Sequence, residues 1–105
     1  LQDAVWNLSR SSLLVAALAT GDVAALRDAT QDRLHQDVRL AMVPDTKRAI
    51  HAALDAGAWA AWLSGSGPTM ACICEPSRVD KVAASLPRSG KVHRLHIDVS
   101  GPTVS

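Results

Sequence analysis

The stretch Gly57–Cys74 reads GAWAAWLSGSGPTMACIC and contains two short apolar segments separated by a loop of small residues. The segments Ala58–Leu63 and Met70–Cys74 are too short for ordinary helices and are bounded by turn residues, which predicts two β-strands. Side chains alternate across a strand, so both faces of the first segment are apolar, with Trp59 on one and Trp62 on the other. We therefore expect a strand that is covered on both sides and pairs antiparallel with the second.

The connecting loop Ser64–Thr69 (SGSGPT) carries no charge and no bulky side chain. Gly65 and Gly67 permit positive φ and Pro68 fixes its own φ, so successive N–H groups could form an anion-accepting concavity. The loop lacks the Gly-Lys-Ser/Thr of a Walker phosphate loop, and no helical pattern begins at Pro68. Taken alone, it predicts a tight hairpin turn.

Length and composition predict one domain with a hydrophobic core, since 48% of the 105 residues are hydrophobic. Eleven basic and ten acidic residues are interspersed, which leaves no charged surface for nucleic acid or an anionic membrane. The longest apolar run, Leu13–Ala19, falls short of the ~20 residues that span a bilayer. The absence of an initiator methionine and a helical pattern that starts at Leu1 suggest a fragment of a longer protein.

Cys72 and Cys74 are the two cysteines, and strand spacing places them on one face. A metal site would need further ligands, for which His93 and His96 are the candidates. Three residues apart on a strand, these histidines face opposite sides, so the four groups do not converge and we expect no metal site. Reduced thiols in a cytoplasmic protein are the better interpretation.

Apolar periodicity predicts four helices around the two strands. The first extends from about Ala4 to Thr20, capped by Asp3 and ended by Gly21. The other three are expected to start at Asp22, at Pro44 with Asp45, and at Ser77 with Asp80 as a capping box. The segment Leu13–Ala19 is apolar nearly all round, which predicts cover on more than one side, by the core or by a missing domain.

The C-terminal residues alternate in polarity, which predicts a last strand with one solvated face. The apolar positions are Leu95, Ile97 and Val99, and the polar ones are Arg94, His96 and Asp98. A helix-rich half is thus followed by strand, strand, helix and strand. This order predicts an α+β, two-layer sandwich with helices packed on one antiparallel sheet.

A second polar stretch, Asp32–Arg39 (DRLHQDVR), lies upstream and is dense in hydrogen-bonding groups. In a helix, Arg33 and Gln36 would share one side, and Asp32, His35 and Arg39 another. By itself, this stretch is typical of a charged helix end.

Two motifs, in this order, resemble those of a known family. The Ser-Gly-Ser-Gly-Pro-Thr loop between two buried strands resembles the third motif of the GHMP small-molecule kinases. The run Asp32-Arg33-Leu34-His35-Gln36 followed by Arg39 is similar to the signature of the homoserine kinases among them. The resemblance covers essentially the whole chain and implies the ferredoxin-like C-terminal domain over residues 1–105. The family's phosphate loop and its Mg²⁺-holding groups do not occur here, which implies that they belong to an N-terminal domain outside this chain.

The resemblance implies ATP-dependent phosphorylation of the homoserine hydroxyl in threonine biosynthesis. The full-length enzyme would use ATP and Mg²⁺, whereas this fragment alone would bind neither and would carry no catalytic residue. Homoserine is a zwitterion, so its carboxylate needs a clamp, and a guanidinium binds carboxylate through two parallel bonds. Arg39 stands where the family places that arginine, with His35 and Gln36 as substrate-binding wall residues. The residues that would support the phosphate loop are Ser64, Gly65, Ser66, Gly67 and Thr69.

Three other interpretations stay open. Another GHMP kinase, acting on mevalonate-like alcohols, would also need Arg39, although the Asp32–Gln36 run favours homoserine. A non-catalytic, ferredoxin-like amino-acid-binding module would keep the sandwich without needing the glycine loop beside a phosphate. A structural dimerisation domain is suggested by Leu13–Ala19 alone. The expected partners are homoserine and the protein's own N-terminal domain, with a homodimer left open.

Overall fold

The computed structural model describes residues 1–105, which form five α-helices and a two-stranded sheet. The helices are α1 (Gln2–Thr20), α2 (Leu26–Ala29), α3 (Gln36–Met42), α4 (Pro44–Asp55) and α5 (Val79–Ser85), and the strands are β1 (Ala60–Leu63) and β2 (Met70–Ile73). Short 3₁₀ helices at Val23–Ala25 and Pro76–Arg78 precede α2 and α5. Helices packed on an antiparallel sheet confirm the α+β class predicted from the sequence.

The hairpin predicted from Gly57–Cys74 is confirmed. β1 pairs antiparallel with β2, with Ala60 opposite Ile73 and Leu63 opposite Met70. Trp62 is half-buried, whereas the other three residues of β1 are buried. β1 is therefore covered on both faces, as its apolar pattern predicts.

Two apolar clusters cover the hairpin. The larger cluster joins α3, α4, α5 and β1 through Leu40, Ile50, Ala53, Ala56, Ala61, Leu63 and Val82. The smaller one joins α1, α2 and β1 through Ala17, Leu26 and Ala60, with Trp59 and Trp62 packed against it. Burying each leucine or isoleucine side chain contributes roughly 1.5–3 kcal/mol to folding, so the larger cluster fixes α3 and α4 beside the hairpin loop.

The helix ends agree with the sequence in part. Gly21 ends α1 with φ 71°, and Pro44 is the first residue of α4, as predicted. The predicted cap at Asp3 is wrong, because α1 begins one residue earlier, at Gln2. Asp22 does stand at the N-cap position before Val23, but its side chain makes no cap bond. Asp3 lies inside the first turn of α1, where the attraction between its negative charge and the positive end of the helix dipole stabilises the helix.

The predicted capping box at Ser77 and Asp80 is also wrong. Pro76 starts a 3₁₀ turn that takes in Ser77, and α5 begins at Val79 without a side-chain cap. Because proline favours the first position of a helical turn, the chain turns one residue before the predicted cap.

The last predicted strand is absent. Leu95, Ile97 and Val99 are 85%, 80% and 95% exposed, and the residues around them pair with no strand. An ion pair of 3.2 Å from Nε of Arg94 to Oδ1 of Asp80 connects this segment to α5. Alternating polarity specifies the faces of a strand, but a strand also needs a neighbouring edge for its backbone, which the pattern does not provide.

Within this chain, the apolar part of α1 is covered on one side. Cover on several sides by the core is therefore wrong, and cover by a missing domain stays a prediction. Ala17 is buried against α2 and β1, whereas Val15 and Leu18 are 69% and 55% exposed. α1 packs against α2 and the start of the hairpin, and no other element reaches its outer face. None of the helices combines the length and the apolar character that crossing a membrane requires.

Candidate functional site

The candidate site lies where α3 meets the loop between β1 and β2. Arg39 donates two hydrogen bonds to the Ser66 carbonyl oxygen, from Nε at 3.0 Å and from Nη2 at 2.9 Å. The N–H of Leu63 donates to Oε1 of Gln36 at 2.9 Å, at the point where β1 enters the loop. A guanidinium forms strong, directional bonds, so Arg39 holds the tip of the loop against the helix.

His35 immediately precedes α3 and lies beside the first glycine of the loop. Its Nε2 is 3.4 Å from the Gly65 carbonyl oxygen, and this contact is a hydrogen bond when Nε2 carries a proton. The structure thus brings the three residues that the sequence predicts for substrate binding to the hairpin. His35 and Arg39 contact the loop, and Gln36 contacts the end of β1.

The loop is closed by its own backbone. The N–H of Ser64 donates to the Thr69 carbonyl at 2.9 Å, and the N–H of Gly67 donates to the Ser64 carbonyl at 3.1 Å. Gly67 has φ 81°, and a Cβ there would lie 2.8 Å from Cδ1 of the buried Leu63. Glycine is therefore required at this position for both its backbone conformation and the space it leaves.

Side chains at or beside α3 and α4 bind three carbonyl groups of the loop, and three of its N–H groups stay available. The carbonyls of Gly65, Ser66 and Pro68 accept from His35, Arg39 and Thr46, in that order. The N–H groups of Gly65, Ser66 and Thr69 donate to nothing in the protein. The free N–H groups of the adjacent residues Gly65 and Ser66 are suited to anions, so the loop can present donors to a phosphate or carboxylate.

Thr46 is a site residue that sequence reasoning missed. It is 6% exposed in the first turn of α4, and its hydroxyl donates to the Pro68 carbonyl. A threonine near a helix start has an ordinary local explanation, so it gives no distinctive signal. The available hint is the burial of a polar side chain at the start of α4, which needs an acceptor that the helix itself does not supply.

Asp32 organises the turn that leads into α3. Its Oδ2 accepts the N–H groups of Gln36 at 2.6 Å and His35 at 2.8 Å, and its Oδ1 accepts from Nδ2 of Asn7 at 2.5 Å. The Oδ1 of Asn7 accepts the N–H of Arg33 at 2.9 Å. Burial tends to raise the pKa of Asp32, but these three hydrogen bonds and the nearby His35 outweigh it and lower the pKa to about 2.

Beside this turn, Trp6 is contacted by two guanidinium groups. The Cζ atoms of Arg10 and Arg33 lie 4.5 and 4.1 Å from the ring centroid. Such distances are within the range of cation–π attraction. A depression of about 330 Å³ opens here, lined by Trp6, Gln31, Asp32, Arg33, Gln36 and Asp37.

The cysteines and histidines considered for a metal site lie apart. Cys72 and Cys74 are half-buried free thiols at β2, and His93 and His96 are exposed in the C-terminal segment. Burial, and then the neighbouring Cys74, raise the pKa of Cys72. The structure assembles no group of three His, Cys, Asp or Glu side chains in a metal-binding arrangement.

Comparisons with known proteins give relatives that match most of the chain. The chain is 45% identical over 86 residues to a homoserine kinase of Thermus thermophilus, covering 82% of this chain and 30% of that protein. It is 38% identical over 109 residues to the homoserine kinase of Desulfitobacterium hafniense, covering 97% of this chain and 37% of that protein. The chain thus spans about a third of the length of these relatives.

A solved structure gives the same result. The crystal structure of homoserine kinase from Cytophaga hutchinsonii superposes with a TM-score of 0.72 at 30% identity, covering 81% of this chain and 27% of that one. The family model described as "GHMP kinases C terminal" matches residues 14–92, which include both α3 and the glycine loop. The chain therefore belongs to the GHMP kinases and matches the C-terminal part of that family.

Proposed function

We propose that this chain is the C-terminal, substrate-binding part of a homoserine kinase, which transfers a phosphoryl group from ATP to the homoserine hydroxyl. The relatives in Thermus thermophilus and Desulfitobacterium hafniense are homoserine kinases. We assign residues 1–105 to the GHMP C-terminal domain, and ATP binding to an N-terminal domain of the same protein.

The observation that carries the proposal is the way Arg39 is held. Two of the five N–H donors of its guanidinium bind the Ser66 carbonyl, so the side chain is fixed in direction beside the loop. The other three donors can bind the carboxylate of homoserine, including two parallel bonds from one edge. A fixed guanidinium loses little freedom on binding, which favours this role over that of a solvated helix end.

The loop and its neighbours would complete the site. Phosphoryl transfer depends mainly on positioning and charge stabilisation, and we infer that His35 and Gln36 form a wall that orients homoserine. We infer that the loop residues Ser64, Gly65, Ser66, Gly67 and Thr69 would support the phosphate-binding loop of the other domain. Gly65, Ser66 and Thr69 would do so through their free N–H groups, and Ser64 and Gly67 by keeping the loop closed.

The chain's residues fit the phosphate part of ATP and not its metal ion. The unbound N–H groups of the loop suit phosphate oxygens, whereas no carboxylate contacts the loop. The Asp32 carboxylate already accepts three hydrogen bonds. We therefore place Mg²⁺, which would neutralise phosphate charge during transfer, on the N-terminal domain.

The proposal extends to the setting of the enzyme. We infer a cytoplasmic enzyme of threonine biosynthesis, which agrees with two free thiols at β2. The exposed apolar side of α1, which includes Val15 and Leu18, would pack against the N-terminal domain or a second subunit.

The test is a substrate panel for the full-length protein. With Mg·ATP, homoserine should give O-phosphohomoserine and an equal amount of ADP, measured by ³¹P NMR and a coupled ADP assay. Serine, threonine and mevalonate serve as competing acceptors, and a reaction without an acceptor controls for ATP hydrolysis. Faster phosphorylation of mevalonate than of homoserine, or no phosphorylation of homoserine, would contradict the proposal.

A further inference from the structure

We propose that Asn7 and Asp32 act together as a positioning pair, which orients the start of α3 and thereby the side chains that hold the glycine loop. For its kinetic readout, this inference rests on the proposed kinase function. Neither residue touches the loop, and neither has a part in the proposed binding of homoserine or phosphate.

Asn7 makes two hydrogen bonds, one to the side chain of Asp32 and one to the backbone of the next residue. Asn7 is on α1, 25 residues away in sequence, and its Nδ2 donates to Oδ1 of Asp32. Its own Oδ1 accepts the N–H of Arg33. Asn7 thus offers a donor to the side chain of Asp32 and an acceptor to the backbone beside it, which fixes the carboxylate in one orientation.

Asp32 in turn binds the backbone at the start of α3. The other carboxylate oxygen accepts the N–H groups of His35 and Gln36, two residues whose side chains then contact the loop and the strand end that enters it. Arg39 follows one turn later, and its N–H donates to the His35 carbonyl at 3.0 Å. The orientation of Asp32 therefore sets the direction of all three loop-binding side chains.

Removing either side chain of the pair would leave hydrogen-bonding groups of the other without a partner. The Asp32 side chain is 16% exposed, so water replaces lost hydrogen bonds poorly. Many residues can cap a helix start, but this pair needs a donor at position 7 and acceptors at position 32. That requirement makes the polarity of the pair testable.

The experiment exchanges the two residues in the full-length enzyme. In Asn7→Asp, two carboxylates face each other. In Asp32→Asn, the new amide either faces the amide of Asn7 or gives up a backbone bond. The double variant Asn7→Asp/Asp32→Asn restores every bond with the polarity reversed, because the amide now at position 32 donates to the carboxylate at position 7 and still accepts from the backbone. Asp22→Asn, whose carboxylate is exposed and makes no cap bond, is the matched control.

Each single variant should raise the KM for homoserine about tenfold, the effect of losing one charge-assisted hydrogen bond, with smaller changes in kcat and in the KM for ATP. The double variant should return to within about threefold of wild type, since neighbouring residues are non-additive when they share a bond. Equal impairment in the double and single variants, or wild-type KM values in both singles, would overturn the inference.

A second readout does not need the reaction. Amide hydrogen exchange of the segment 63–70 in the ligand-free, full-length protein should quicken in both single variants and return to the wild-type rate in the double. If the wild-type enzyme fails to phosphorylate homoserine, this pattern still supports the positioning pair. Unchanged exchange in the single variants would overturn the pair even in an active kinase.

Discussion

Arg39 contacts the glycine loop through one edge of its guanidinium. The proposed carboxylate clamp therefore depends on the shape of this side chain as well as on its charge. Lysine at this position keeps the charge but is a point donor on a flexible stem, so it cannot bind the Ser66 carbonyl and a carboxylate with the same fixed geometry. In the full-length enzyme, Arg39→Lys and Arg39→Ala should lower kcat/KM for homoserine by about ten- to a hundredfold. The KM for ATP should change little.

Steady-state kinetics with both substrates varied would check this, with Arg48→Lys as the control. Arg48 is an exposed arginine on α4 that pairs with Asp45, far less constrained than Arg39. Wild-type kcat/KM for homoserine in both Arg39 variants would place the carboxylate clamp elsewhere in the enzyme.

At the residue scale, the sequence predicts the residues of the candidate site but not the hydrogen bonds that join them. His35, Gln36 and Arg39 stand out because their types and order match a family motif. Their contacts with the loop backbone, and the bond between Asn7 and Asp32, join segments that are 25 to 30 residues apart. Such bonds depend on tertiary packing, which local pattern does not encode. Thr46 was missed for the same reason, since its partner carbonyl is 22 residues away.

At the element scale, the loop between β1 and β2 depends on two glycines for different reasons. Gly65 has φ 59° with open space around its Cα, so Gly65→Ala should cost about 1–2 kcal/mol from the left-handed backbone alone. Gly67→Ala adds a Cβ at 2.8 Å from Leu63, which is buried and cannot move aside freely, so its cost should be larger.

Urea unfolding of the three alanine variants Gly65→Ala, Gly67→Ala and Gly90→Ala would test this order. Gly90 is the matched control, because its φ is not in the left-handed region and a Cβ added there would meet no atom within 4 Å. Its substitution should leave the free energy of unfolding within about 0.5 kcal/mol of wild type. Equal destabilisation at positions 67 and 90 would contradict the close packing of the loop on Leu63.

The sequence predicts an element best when its apolar pattern and its turn residues indicate the same structure. The hairpin combines two short apolar runs with a turn that only small residues can make, and both strands form where expected. The segment 94–99 has the alternation without a partner edge, and it remains exposed. Helix caps are predicted least well, because exposed N–H groups at a helix start can bind water where no side chain reaches them.

At the scale of the whole molecule, α1 has an outer face that no other element covers. Val5, Leu8, Val15 and Leu18 are each more than half exposed. On a helix, the spacing of 5, 8 and 15 places apolar side chains along one stripe. The face of α1 that packs inwards meets α2 and β1 rather than the glycine loop, so a partner on the outer stripe would leave the candidate site accessible.

Under the proposed function, this chain would carry only part of what phosphoryl transfer requires. It has an arginine held by the loop and free N–H donors, but no acidic pair beside the loop and no long helix whose N-terminus follows it. Phosphates bind tightly where a helix N-terminus, a cation and a metal ion act together. We therefore expect that the isolated 105-residue chain neither binds Mg·ATP tightly nor phosphorylates homoserine.

Calorimetry with Mg·ATP measures this directly, with the full-length protein as the positive control and far-UV circular dichroism as the check that the isolated chain is folded. N–H groups of one loop, open to water, exchange bonds with solvent for bonds with phosphate and gain only about 0.5–1.5 kcal/mol each, or more where the partner is charged. Two or three such bonds give a dissociation constant in the millimolar range once the lost freedom of ATP is included. A micromolar constant for the folded, isolated chain would contradict this expectation, because the nucleotide site would then lie largely on this domain.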